Sequence, residues 1–273
     1  GNIPSVVHSL RVQGFDIKET EIQNAFIYDS LENGKLLSMT NEVMNGVIYI
    51  QELSSMLPAL ELKPRVDDLI IDLCAAPGSK TTQIASLTNN KAEIIAVEKN
   101  KNRFFIMKDI ILKAGATKIK CMLSDSKDLL YKYNFIKKFD KVLLDAPCSN
   151  EGNINLSAEQ PLKFWNKKKA ENLSKLQKSL IISAFSMLKK GGELIYSTCT
   201  YSVEENEEVI DWLIKKVGTD NIKLLKFNLP IDNYIPGKIA WNKKNFNKDL
   251  MNTVRIIPNL YYNGFFIAKI RRV

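Results

Sequence analysis

The apolar positions of this chain fall into short runs separated by stretches of helical period. Leu69 to Leu73, Ile94 to Val97, Ile119 to Leu123, Lys141 to Leu144 and Glu193 to Tyr196 read as strands. Runs this short and this apolar suit strands covered on both faces, as in a parallel sheet. Between them, apolar residues recur at three- and four-residue spacing. Ser79, read as an N-cap, opens a helix through Ile84 and Leu87. Lys101 to Ala114 forms another helix, closed by Gly115. A long helix runs to about Leu188, and Gly191-Gly192 turns the chain into the next strand. A further helix starts near Glu204, where Glu204, Glu205, Glu207 and Glu208 suit the positive end of its dipole. Strands near 222–227, 254–257 and 265–270 follow, the last two as an antiparallel edge hairpin.

Upstream, Gly46 to Leu62 begins as a strand and continues as a helix, with Leu53, Met56, Leu57 and Leu60 on one face and Pro64 as its stop. Residues 1–45 give only short periodic pieces, Val12 to Ile22 and Ala25 to Leu37. The pattern therefore predicts an α/β fold: a mostly parallel, twisted, Rossmann-like sheet with helices on both faces and a C-terminal antiparallel edge hairpin. A small N-terminal α+β subdomain, 1–45, packs on the main domain, 46–273.

In such sheets ligands bind outside the carboxyl ends of the strands. The turn Cys74-Ala75-Ala76-Pro77-Gly78, Glu98, Asp125, Asp145, Cys148 and Cys199 all fall at or just past the ends of different predicted strands. The turn is not a phosphate cradle. A P-loop needs glycines where Cys74 and Ser79 stand, although Lys80-Thr81 is in place, and a dinucleotide fingerprint needs more than Gly78. A nucleoside cofactor without phosphates fits, and S-adenosylmethionine is the natural candidate. Glu98, 20 residues beyond Gly78, is placed for ribose hydroxyls. Asp125 would lie near the adenine amino group, and the 74–80 loop under the methionine part.

A chain of 273 residues, 45% hydrophobic, can bury one large core. Its net charge of +9 suits a polyanion, most simply nucleic acid. The basic run Lys163, Lys167, Lys168 and Lys169 around Phe164 and Trp165 is a candidate contact, or a solvated helix face. No apolar run is long enough to span a membrane. No signal-peptide pattern opens the chain, and Gly1 in place of Met suggests a processed terminus. A cytoplasmic protein is expected.

The four cysteines, Cys74, Cys121, Cys148 and Cys199, show no C-x-x-C spacing, and His8 is the single histidine. No metal site and no disulfide are expected. Cys121 is mid-strand and reads as inert, and Cys74 as a packing residue. Cys148 and Cys199 follow strand ends in polar loops, where two thiols in one cleft suggest covalent catalysis. Carbon 5 of cytosine becomes nucleophilic once a thiolate adds to carbon 6. Asp145 is placed to hold the pyrimidine amide edge, and a paired base must first be swung out.

Together these segments resemble the Nop/Sun (Fmu-type) RNA cytosine-5 methyltransferases. The matching stretches are DLCAAPGSKTT at 72–82, VEKNKNR at 97–103, SDS at 124–126, LLDAPCSNEG at 143–152 and STCTYSVEENEEVI at 197–210. The flanks at 46–62 and 254–273 also match. The resemblance implies a class I methyltransferase fold and S-adenosylmethionine as donor. It implies that Cys199 is the nucleophile, that Cys148 assists product release, and that Lys80 and Asp145 line the active centre. It places residues 74–80, Glu98, Arg103, Asp125 and Asp145 around the cofactor. Two positions depart from the common pattern: Ser79 stands where many members have glycine, and Ser149-Asn150 where Ser-Gly is common. The chain's size resembles archaeal-type transfer RNA enzymes, so tRNA is favoured over rRNA, and a monomer without an appended RNA-binding domain is expected. The rival readings are an RNA-binding assembly factor without catalysis and a DNA cytosine-5 methyltransferase that uses Cys148.

Overall fold

The computed structural model describes residues 2–30, 36–154 and 166–273. In chain order it contains α1 (Ile3–Val12), β1 (Phe15–Glu19), β2 (Phe26–Ser30), α2 (Asn41–Met44), α3 (Leu53–Glu61), β3 (Leu69–Asp72), α4 (Ser79–Leu87), β4 (Glu93–Glu98), α5 (Lys101–Lys113), β5 (Ile119–Leu123), α6 (Leu129–Lys132) and β6 (Phe139–Asp145). Then come α7 (Lys167–Met187), β7 (Leu188–Thr198), α8 (Glu207–Val217), β8 (Ile222–Leu224), β9 (Tyr234–Pro236), β10 (Ala240–Trp241), β11 (Lys244–Asn245), β12 (Val254–Ile256) and β13 (Phe265–Arg272).

The main sheet has the order β5-β4-β3-β6-β7-β13-β12-β9, with β8 also paired to β13. β5, β4, β3, β6 and β7 are parallel neighbours, whereas β13 is antiparallel to β7 and β12 to β13. The strand order reverses between β3 and β6. In sheets of this order, loops that leave the strands at such a reversal diverge, and ligands bind at the carboxyl ends there.

Strand periodicity sorts side chains into two cores. Val142 and Leu144 of β6, Leu194 and Tyr196 of β7, and Phe266 and Ala268 of β13 face α7 and α8. Their alternates Leu143, Ile195 and Ile267 face α3, α4 and α5. Both faces are thus covered, as the unbroken apolar runs require. A third, small cluster of Leu10, Phe15, Ile17 and Leu37 lies under α1 and the β1–β2 hairpin.

Several expected features differ. The apolar stretch after Gly46 forms bends rather than a strand, with Val47, Tyr49 and Ile50 exposed. The N-cap of α4 is Gly78, at φ 112°, and Ser79 is its first helical residue. Gly191-Gly192 does not separate helix from strand. β7 runs through both glycines, and its register to β6 shifts between the Phe139 and Lys141 pairings. Carbonyl oxygens stand 3.0–3.1 Å from where a Cβ of residue 192 would be, so a side chain there would crowd the bulge. α8 begins at Glu207, not near Glu204. The C-terminal hairpin is present, and the unforeseen β9 lies outside β12.

Candidate active site

The carboxyl ends of β3, β4 and β5 are tied together by side chains. Glu98, last in β4 and buried, accepts from Asn100 N at 2.7 Å. Asn100 caps α5 by accepting from Asn102 N and Arg103 N. The Arg103 guanidinium reaches back to Ala76 O in the 74–78 turn and lies 3.6 Å from Glu98. Asp125 accepts from Lys127 N at 3.0 Å, and Ser126 donates to Leu73 O. Gly78, with its left-handed φ, lets the turn enter α4 directly.

β6 and β7 supply the other half. Lys80 of α4 is buried and lies 2.6 Å from Asp145 Oδ2 at the end of β6. It also donates to Ser55 Oγ of α3 at 2.6 Å and sits over the Phe265 ring. Ser197 donates to the other Asp145 oxygen at 2.7 Å. Both carboxylate oxygens and the ammonium are therefore fixed in place. Three residues beyond Asp145, Cys148 Sγ lies 3.2 Å from Sγ of Cys199, which directly follows β7.

The two cysteine loops are stitched to each other. Ser149 Oγ and Thr200 Oγ1 are 2.7 Å apart, and Glu205 accepts from Ser149 N, Ser149 Oγ and Gln177 Nε2. Gly152 N donates to Cys199 O at 2.9 Å, while Gly264 N donates to Gly152 O at 3.1 Å. Asn206 accepts from Thr198 Oγ1 and donates to Thr200 O, gripping the chain on both sides of Cys199.

Burial and charge set the ionisation of the group. Cys74 is pushed up by desolvation, which keeps it a thiol. The hydrogen bond between the two sulfurs lets one sulfur donate to the other. It favours the thiolate at Cys199, whose pKa is lowered, and raises Cys148, which holds the proton. Lys80 also favours the Cys199 thiolate, and Asp145 opposes it. Asp72, wholly buried at the end of β3, is pushed up to about 6 by desolvation despite its hydrogen bond from Thr81.

The sequence-predicted residues Lys80, Asp145, Cys148 and Cys199 meet in one corner, and residues 74–80, Glu98, Arg103 and Asp125 line the adjoining strand ends. Cys121 stands apart on β5, packed against the second core. Lys163, Phe164 and Trp165 lie outside the described residues, and Lys167, Lys168 and Lys169 are exposed at the start of α7. Sequence reading missed Ser55, Asp72, Ser149, Asn150, Gln177 and Asn206 as parts of the site. It read Glu205 as a helix-dipole charge. Its neighbours in the 204–208 run gave no sign that Glu205 would be fully buried.

The donor set fits S-adenosylmethionine. Glu98 and Asp125 offer carboxylates to hydroxyl and amino groups, and Asp72 Oδ1 is buried without a hydrogen-bond partner. An acidic rim of this kind suits a cofactor with hydroxyls, an amine and a cationic sulfur, not a polyphosphate. No cluster of residues that could hold a metal occurs among the described residues, and none of their helices is long and apolar enough to cross a membrane.

Comparison with known proteins shows what the chain is similar to. The family model described as 16S rRNA methyltransferase RsmB/F matches residues 59–271. A tRNA (cytosine(49)-C(5))-methyltransferase of Pyrococcus abyssi is 40% identical over 228 residues, covering 83% of this chain and 71% of the relative. The ribosomal RNA small subunit methyltransferase F of Vibrio cholerae is 36% identical over 254 residues, which cover 92% of this chain and 51% of the relative. The chain thus spans about half the length of that ribosomal RNA relative. The crystal structure of NSun6 from Pyrococcus horikoshii with SFG, an analogue of S-adenosylmethionine, superposes with a TM-score of 0.72 at 34% identity, over 92% of this chain and 61% of that one.

Proposed function

The chain belongs to the RsmB/F methyltransferase family, the Nop/Sun group its motifs resemble, and from that premise we propose that it forms 5-methylcytosine in structured RNA, with S-adenosylmethionine as donor. The observation that supports this reading most is the pair of sulfurs 3.2 Å apart, beside the Lys80–Asp145 pair and next to the cofactor turn.

Cys199 is the nucleophile in this reading. Its thiolate adds to carbon 6 of a swung-out cytosine, and the carbon 5–carbon 6 π pair moves into the ring, leaving carbon 5 electron-rich. Bound S-adenosylmethionine supplies the electrophilic methyl group. Glu98, Asp125, Arg103 and residues 74–80 would hold that cofactor. Asp145, fixed by Lys80 and Ser197, faces the amide edge of the base. After carbon 5 gives up its proton to solvent water, the double bond re-forms and Cys199 leaves as a thiolate. Cys148, which keeps its proton in the resting pair, assists that release.

Transfer RNA is favoured over ribosomal RNA, in keeping with the higher identity to the Pyrococcus abyssi relative. We place RNA contacts on residues 1–45 and on the lysines at the start of α7. Incubation with methyl-labelled donor and transcripts of tRNA and of small-subunit rRNA tests the reading. Label recovered as 5-methylcytosine, mainly in tRNA, supports it. RNA binding with no methyl incorporation would favour a role in assembly.

A further inference from the structure

The loop after β6 turns at Asn150 with φ 67°, a left-handed conformation that asparagine, aspartate and glycine adopt most readily. The turn itself needs no side chain, and the sequence resemblance leads one to expect glycine here. This chain has a side chain, and it ends on the sulfur of Cys199: Asn150 Oδ1 lies 2.9 Å from Sγ. The same oxygen accepts from Asn153 Nδ2 at 2.6 Å. In this arrangement Asn150 Oδ1 serves both contacts, so the carbonyl end of the amide faces Cys199 while Asn153 Nδ2 donates to the same oxygen. A carbonyl oxygen accepts from S–H and repels S⁻.

We propose that Asn150 acts directly on Cys199: it takes the thiol hydrogen in a hydrogen bond that aims the sulfur and offsets part of the push toward the thiolate until a base enters the cleft. The proposal rests on Cys199 being the nucleophile. Asn150 is one of several groups that face this sulfur. Cys148, in the same loop as Asn150, donates to it, and Lys80 of α4 lies near as a cation; both favour the thiolate. Asp145 of β6 favours the thiol. Glu151 is one step removed, accepting from Thr200 Oγ1 at 3.0 Å. Asn150 thus works with Asp145 against Cys148 and Lys80. Its displacement by an entering base leaves the pair that promotes the thiolate, and the proton released goes to solvent.

The test is the pH profile of Cys199 alkylation by iodoacetamide, read on the Cys199 peptide by mass spectrometry with no RNA present. Asn150→Gly keeps the left-handed turn and removes the acceptor. Its apparent pKa should fall by about half a unit to one unit, the worth of one neutral hydrogen bond, so that labelling at pH 7 quickens about three- to tenfold. Asn150→Asp keeps shape and conformation and should raise the apparent pKa above that of the natural protein. Asn153→Ala frees the amide to turn and should fall between the natural protein and Asn150→Gly. An Asn150→Gly profile equal to the natural one, or shifted upward, overturns the proposal. Because this reaction needs no RNA, its failure is distinct from a failure of Cys199 as nucleophile, which is read from the RNA adduct.

Discussion

Cys148 Sγ and Cys199 Sγ lie 3.2 Å apart although 51 residues separate them in sequence. Each follows its own strand, β6 or β7, and those strands are parallel neighbours whose ends meet at Asp145 and Ser197. The juxtaposition is thus a consequence of strand order. Their ionisation differs as a result: the shared hydrogen bond lowers Cys199 and raises Cys148.

That difference predicts selective labelling. At pH 7.5, iodoacetamide should modify Cys199 first, because thiolate is the reactive form. Burial raises Cys74 and Cys121 and should protect both. Peptide mass spectrometry over a time course reads the order. Labelling of Cys148 ahead of Cys199 would reverse the assignment of the proton.

The Lys80–Asp145 pair should be costly to break. Lys80 is almost wholly buried, while the Asp145 side chain is 29% exposed. Asp145→Asn removes the charge that balances the buried ammonium, although the amide oxygen can still accept a hydrogen bond from it. We expect a loss of roughly 3 kcal/mol in urea denaturation, the low end for a broken buried pair, together with loss of methyl transfer. An unchanged midpoint would show that the pair contributes little.

Asp72 should make stability depend on pH in the direction opposite to a salt-bridged carboxylate. Its carboxyl is raised from 3.8 to about 6 in the folded chain. The folded state therefore binds the proton more tightly than the unfolded state does. The destabilising contribution is complete above about pH 6 and vanishes below 3.8. Asp72→Asn should be more stable than the natural protein at pH 7, by up to roughly 3 kcal/mol, and similar to it near pH 4. Paired urea titrations at the two pH values measure this, and an equal difference at both would refute the buried-carboxylate origin.

Gly152 sits where three backbone segments cross. A Cβ there would stand 2.0 Å from Gly264 O and 3.0 Å from Cys199 O. Gly152→Ala should displace the Cys199 loop, at a cost of about 1–3 kcal/mol in melting experiments, and depress methyl transfer. Full activity would mean that the crossing tolerates a methyl group.

Much of this arrangement was legible in the chain, because each polar or reactive residue of interest closes a short apolar run. Glu98 and Asp145 end β4 and β6, and Cys199 follows β7, as the runs imply. What escaped were features decided by distant partners. Val47, Ile48, Tyr49 and Ile50 have strand-like composition, but among the described residues no strand pairs with them. Glu205 and Glu207 look like solvated helix-start charges. Instead Glu205 clamps Ser149, and Glu207 pairs with the buried Arg255 of β12. Local charge carries no information about partners 48 and 56 residues away. In the sequence Asn150 reads only as a departure from a glycine; that its side chain ends on Cys199 depends on two loops meeting in space.

In the proposed reaction Cys199 makes the temporary bond to the base and Cys148 helps to release it. Denaturing gel electrophoresis of the protein incubated with RNA and S-adenosylmethionine tests this most directly. Cys148→Ser should accumulate a band of covalent protein–RNA adduct, and Cys199→Ser should form none. An adduct that persists in Cys199→Ser and disappears in Cys148→Ser would contradict the account and point to the DNA-type use of Cys148.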